Sequence, residues 1–386
     1  MRKIKEIKRQ EDAKGNCISR FLFFIFHFSL KQKLRGGSSL DRMAWQRFKR
    51  NPLSVASLVV IGLFALVATL GYLITPDQTP YCNQQYLELA TLKPGSKATF
   101  LCVEKEGGER GKRNWVKKMV KGEPLDYTAT PIVTYREAGD SLHVEPYSGE
   151  PFAVERGGAR IERRTFLLGT DAYGRDVLSM LMIGSRVSLS VGFIAILIAL
   201  LVGITLGALA AYRGGWVDNV IMWLINVVWS IPTVLLVIAI TFALGKGFWQ
   251  IFVAVGLTMW VDIARVVRGE VMSIKEKEYV EATRALGYST FRTIFHHILP
   301  NIVGAIVVVA ASNFASAILL EAGLSFLGIG VQPPMPSWGM MVKDNYGYIL
   351  LDSAYLALLP GLCIMLIVLA FMLLASGLRD ALDIKR

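Results

Sequence analysis

Charge is scarce in this chain. Only 19% of its 386 residues are Asp, Glu, Lys or Arg, while 53% are hydrophobic. A soluble domain of this length would need more polar surface to cover its core. Histidine and cysteine are scarcer still, at four each. His27, His143, His296 and His297 fall in no spacing that suits a metal site, so no metal is expected on this chain. A phosphate-cradling G-x-x-x-x-G-K-[ST] loop is missing too, because GERGKR and GKGF lack its spacing. The chain is therefore not expected to hydrolyse ATP. Acidic residues number 30 against 42 basic ones. Fourteen of the 42 crowd into residues 1–52, just before the first apolar run. That placement marks orientation in a membrane rather than a nucleic-acid surface.

Apolar length is what the chain has in quantity, and its mean hydropathy is +0.45. Six stretches reach or approach the roughly 20 residues that cross a bilayer: 53–74, 187–211, 218–243, 248–267, 301–320 and 354–376. The class is an all-α membrane protein with six transmembrane helices. The fourth span is the weakest, since Asp262 and Arg265 mark its end; one turn apart, they are expected to pair. With the basic segment 1–52 inside, the chain alternates sides, which puts 268–300 and the tail in the cytoplasm and 75–166 outside. Gly203 and Gly207 in GITLG form a small-xxx-small pattern that lets another helix approach. Pro232 and Pro360 are each expected to kink their span.

The outer insertion, 75–166, contains turn-forming pieces such as KPGSK and EAGD. PIVTYREAGDSLHVEPY alternates on either side of Gly-Asp and reads as a hairpin in a small β-rich domain. Cys82 and Cys102 both lie here. Outside the cytoplasm such a pair reads as a disulfide contributing about 3 kcal/mol, with two unpaired thiols as the alternative. Near the N-terminus, FLFFIFHFSL (21–30) is too short to span. No small-residue cleavage site follows it, so it reads as an interfacial stretch rather than a signal peptide. Met43 is an alternative start to Met1.

One charged segment interrupts the apolar runs: EYVEATRALGYSTFRTIFHHILP, 278–300. Ser273 and Glu276 have the spacing of a capping box that opens a helix at Ile274. Gly287 should stop that helix, and Ser289 should cap a second one running to Leu299. Tyr279, Ala282 and Leu286 share a face at helical spacing. Such a short amphipathic element needs a partner surface.

E-A-T-x-x-x-G, nine residues, then H-I-L-P resembles the cytoplasmic loop of ABC importer permeases, whose pattern is E-A-A, three residues, Gly, nine residues, I-x-L-P. Glu281, Ala282, Gly287, Leu299 and Pro300 match. Thr283 replaces the second Ala, and His297 replaces the Ile as in the oligopeptide, dipeptide and nickel branch. Residues 168–192 and 324–341 resemble C-type subunits of that branch, and 212–223 fits their short inner turn. The likeness covers roughly 40–75 and 167–386, but not the first 37 residues or most of 76–166.

The resemblance implies a type I ABC importer permease fold in the bacterial cytoplasmic (inner) membrane, with both termini cytoplasmic. It implies a coupling helix in which Tyr279, Glu281, Ala282, Leu286 and Gly287 dock an ATPase. The implied partners are a second homologous permease, two ABC ATPase subunits carrying ATP and Mg, and an extracytoplasmic solute-binding protein. The implied cargo is a peptide, or else nickel or another small solute. A secondary transporter is less favoured, because no charged relay or paired broken helices are evident; a membrane-anchored binding protein would need neither six spans nor the docking loop. Glu321, at the outer end of span five, either lines the translocation path or sits at the interface. Asp171 and Asp176 in GTDAYGRD could suggest a catalytic dyad, but turn and capping roles are expected for Thr170 and Asp171.

Overall fold

The computed structural model describes residues 39–105, 115–245 and 247–382. The 21–30 stretch, Cys17 and His27 lie outside them. The chain divides into two units, residues 53–379 and a smaller one formed by 1–52 with 380–386. In the smaller unit, α1 (Ser39–Arg50) ends in Arg47, Lys49 and Arg50, and its Trp45 and Phe48 rings stack at 5.7 Å.

The first long apolar helix is α2 (Pro52–Ile74). It leads through a turn at 80–82 into the insertion, which holds β1 (Ser96–Glu104), α3 (Trp115–Lys121), β2 (Tyr127–Ala138), β3 (Ser141–Pro146), β4 (Phe152–Glu155) and β5 (Ala159–Phe166). The strands form one antiparallel sheet in the order β4-β3-β2-β1-β5. β2 and β3 close on Gly139-Asp140 with Ala138 opposite Ser141, and Gly139 takes the positive φ of 63° that so tight a hairpin needs. This is the expected hairpin. Alternation along β1 gives the sheet two apolar faces. Phe100 and Cys102 pack with Leu89 and Phe166 on one, and Leu101 packs with Ile132, Leu142 and Val144 on the other.

The membrane portion follows. Helix α4 (Val177–Arg213) is 37 residues long, about 55 Å at 1.5 Å per residue. That is well beyond a bilayer core, so the helix also supports the layer that bears the sheet. Next come α5 (Gly215–Trp229), α6 (Thr233–Leu244) and α7 (Phe248–Lys275). They are followed by α8 (Glu278–Ala285), α9 (Thr290–Thr293), a π-helical turn over Ile294–Ile298 and α10 (Leu299–Phe326). Last are α11 (Trp338–Asn345) and α12 (Tyr355–Leu382). Among the described residues five helical stretches are long and apolar enough to cross a membrane, or six if α5 and α6 form one broken span.

That break comes at Pro232, where the two halves meet at 94°. Pro232 cannot donate a backbone hydrogen bond, and the chain turns there through Ser230 and Ile231. Pro360, in contrast, lies within an unbroken α12. It is the sixth residue of that helix, so its missing N–H leaves one carbonyl of the first turn without its intrahelical bond. The expected kink does not break that helix.

The small-residue pattern gives the bundle its tightest crossing. A Cβ on Gly203 would lie 2.8 Å from Ile263 Cβ, and one on Gly207 would lie 2.5 Å from the Ala264 carbonyl oxygen. In return, a Cβ on Gly256 of α7 would meet Ile198 at 2.7 Å. Helices α4 and α7 thus approach through glycines on both sides. Around this seam, Ile204, Ala208, Ile263, Ala264 and Val267 form the main core.

The Cys82–Cys102 disulfide is absent: both thiols are free and buried. Cys82 packs at the top of the helical bundle with Tyr72, Val177 and Met180, and its Sγ donates to the Asp77 carbonyl at 3.0 Å. Cys102 lies in a separate cluster under the sheet. Each sulfur is held by its own apolar surroundings, and burial pushes both thiols up, further from the reactive thiolate.

Candidate docking element and transport face

The charged interruption folds differently at its start from its sequence expectation. Ser273 caps nothing. Helix α7 runs through it to Lys275 because Val271 and Ile274 are buried, and Lys275 Nζ donates to the Ala211 carbonyl near the end of α4 at 2.9 Å. The segment expected to begin at 268 is therefore helical continuation as far as 275. Helix α8 then opens with Glu278 and Glu281 in its first turn, on the positive end of its dipole.

Its end follows the sequence reading. Gly287 takes φ 73°, Tyr288 N–H donates to the Thr283 carbonyl at 3.1 Å, and Gly287 N–H donates to Arg284 at 2.9 Å. These two bonds are the Schellman pattern. Ser289 Oγ caps α9 by accepting from Arg292 N–H at 3.4 Å. The second helix does not stop at Leu299, however, but passes through the π turn containing His296 and His297 directly into α10.

Helix α8 has two faces. Val280 is fully buried in the main core, and Thr283 is buried with its hydroxyl 3.5 Å from Thr293. Thr283, the residue that departs from the family's Ala, is thus an inward one. Arg284 lies 5.0 Å over the Tyr212 ring at the end of α4. The outward face carries Ala282 and Glu281 together with Tyr279 and, at the C-cap, Leu286, which are 41% and 70% exposed; Phe291 of the following α9 is 67% exposed. Tyr279 is steadied by Asn301 Nδ2, which donates to its hydroxyl at 3.3 Å, and the Phe291 and Phe295 rings lie 4.2 Å apart. The result is an apolar patch on a short helix locked to the core from behind.

A second feature lies at the α5–α6 bend. A cavity of about 590 Å³ is walled by Trp229, Val234, Leu320, Phe326 and others from α5, α6, α7 and α10, with Thr258, Asp262 and Ser316 among its polar groups. Asp262 does not make the expected ion pair with Arg265. The Arg265 guanidinium instead lies 3.4 Å over the Trp229 ring, a cation–π contact, and donates to Asn226 Oδ1 at 3.1 Å.

Glu321 does not line this cavity. It is completely buried and accepts from Ser188 Oγ of α4 at 3.0 Å and Ser325 Oγ at 2.8 Å. Hydroxyl donors satisfy the carboxyl inside the protein, and Glu321 thereby ties α10 to α4. The neighbouring outer loop is closed by Trp338, whose Nε1 donates to the Leu181 carbonyl at 3.0 Å.

Thr170, Asp171 and Asp176 hold the turn before α4. Thr170 Oγ1 accepts from Leu92 N–H at 2.8 Å and donates to the Leu89 carbonyl. Asp171 accepts from Tyr173 and Arg175 N–H, both at 2.9 Å, and pairs with the Arg175 guanidinium at 2.6 Å. Asp176 caps α4 through Ser179 N–H at 2.9 Å. Sequence reasoning missed the long-range ties. Arg186 donates to the carbonyls of Ala68, Thr69, Met119 and Val120, joining α2 and α3 to α4. Arg268 makes a two-pronged pair with Asp218 at 2.6 Å for each bond. An arginine inside an apolar run is the one signal that marks each.

Apolar helices of membrane length, a tight α4–α7 crossing and a core-anchored short helix with an exposed apolar face define a multi-pass membrane translocation component. The chain belongs to the family of binding-protein-dependent transport system inner membrane components, whose model matches residues 203–385. Residues 39–94 match the N-terminal TM domain of oligopeptide transport permease C. The glutathione transport system permease protein GsiD of Pectobacterium atrosepticum is 41% identical over 56% of this chain and 72% of its own length. The dipeptide transport system permease protein DppC of Bacillus subtilis is 43% identical over 56% and 68%. The DppC of Lactococcus lactis reaches across more of the chain, at 30% identity over 88% and 89%. A solved inward-facing structure of the MetNI methionine ABC transporter covers 54% of this chain at a TM-score of 0.43 and 19% identity.

Proposed function

We propose that this chain is a peptide-translocating permease subunit of an ATP-driven importer in the bacterial inner membrane, with both termini in the cytoplasm. Its relatives named for dipeptide, oligopeptide and glutathione transport support a peptide cargo over nickel. The carrying observation is the α8–α9 element: Val280 of α8 is locked into the core while Tyr279 and Leu286 beside it and Phe291 of α9 stand exposed. An ATPase subunit seated on that face can push on the core through Val280 and Arg284. Tyr279, Glu281, Ala282 and Leu286 form the contact, and Gly287 sets the angle at which the helix ends. A second homologous permease completes the pathway, two ATPase subunits bind ATP and Mg, and a solute-binding protein delivers cargo from outside. ATP drives the cycle to the extent that it binds the closed ATPase pair more tightly than the open one.

Co-purification tests the docking role. Replacing Leu286 with Asp puts a desolvated charge at the centre of the contact, so retention of the ATPase subunits is expected to fall at least tenfold (about 1.4 kcal/mol). Unchanged retention overturns the assignment of this face.

A further inference from the structure

We infer that Asp262 is the subsite for the amino end of the transported peptide, an assignment that rests on the peptide reading above. The cavity at the α5–α6 bend carries one ionisable side chain, Asp262, among lining residues that are otherwise neutral. Among the described residues no hydrogen bond or ion pair is made to its carboxylate. The nearest candidate cation, Arg265, feels it electrostatically but spends its guanidinium on Trp229 and Asn226. An acidic side chain at membrane depth without a close protein partner marks a path for a solute.

The chemistry selects the ligand. One carboxylate is too few donors for a metal ion, and no group of three or more His, Cys, Asp or Glu able to hold one exists among the described residues. A single anion at the edge of an apolar chamber instead suits a primary ammonium carried on a partly apolar body. The chamber, at about 590 Å³, is of the size that takes small ligands. Trp229, Leu320 and Phe326 offer apolar and aromatic walls for side chains, and Thr258 and Ser316 add hydroxyls. The same negative charge repels a peptide's carboxylate end, so it orients the cargo as well as attracting it. Residues on both sides of the bend at Pro232, Trp229 of α5 and Val234 of α6, line this chamber.

The test uses the complete importer in proteoliposomes, with alanine peptides of two to five residues as probes. Uptake at saturating binding protein is expected to fall at least fivefold in Asp262→Asn, which keeps the shape and removes the charge. It should return to within twofold of wild type in Asp262→Glu. ATPase retention should be unchanged in both, since the residue lies away from α8. Import by Asp262→Asn within twofold of wild type overturns the subsite and leaves the peptide reading standing. Asp262→Glu failing as badly as Asn also overturns it, because charge would then not be what matters. A wild type that imports no peptide removes the peptide reading, and this inference with it.

Discussion

Asp176 does two things that oppose each other. Its Oδ2 caps α4 through Ser179, while its Oδ1 is buried with no hydrogen-bond partner among the described residues. Burial, aided by the nearby Asp77 carboxylate, holds the Asp176 carboxyl above the usual aspartate range. A group whose folded pKa is raised gives its full stabilisation below its unfolded value, about 3.9, and loses it as pH rises through the folded value. Asn caps a helix as well as Asp does and carries no charge to desolvate. Asp176→Asn is therefore expected to melt higher than wild type at pH 8, with the gap closing towards pH 4. Thermal unfolding across that range checks it, and a gap that widens on acidification contradicts the sign. The turn roles of Thr170 and Asp171 were legible in GTDAYGRD because turn chemistry acts over a few residues. Glu321 was not, since one of its donors, Ser188, is 133 positions away. Nor was Arg265, whose choice of Trp229 over Asp262 depends on which faces the fold brings together.

At Gly207 an added Cβ would meet backbone, the Ala264 oxygen at 2.5 Å, which cannot swing aside as a side chain can. Gly207→Ala should cost about 1–3 kcal/mol through overpacking. Gly62→Ala, where nothing lies within 4 Å, serves as the control and should be neutral or slightly stabilising. Equal melting of the two variants would show that the α4–α7 seam is not the tight contact described. Stops and breaks were the readable part of each element. Gly287 ends α8 and Pro232 breaks the third span, because φ and the missing N–H are properties of the residue itself. Starts were less readable. Ser273 and Glu276 have capping-box spacing, yet burial of Val271 and Ile274 carries α7 past them, and tertiary packing outweighs a cap of about 1 kcal/mol.

In the whole molecule, the apolar runs gave the spans and alternation gave the sheet's hairpin, because both patterns are periodic and local. The free thiols were the chief surprise. Cys82 belongs to the bundle and Cys102 to the sheet, a division of the 75–166 segment that its sequence does not mark. Arg186, tied to four carbonyls of α2 and α3, joins those two layers. In the function proposed above, work done by ATP enters through α8 and reaches the translocation path through the core. The most direct test is peptide uptake into proteoliposomes containing the full importer, with and without ATP, in wild type and in Gly287→Pro. Proline cannot adopt the φ of 73° found at Gly287, so α8 loses its end. Uptake is expected to require ATP in the wild type and to fall at least tenfold in the variant. Uptake that proceeds without ATP on an ion gradient, or that survives Gly287→Pro undiminished, would contradict that function.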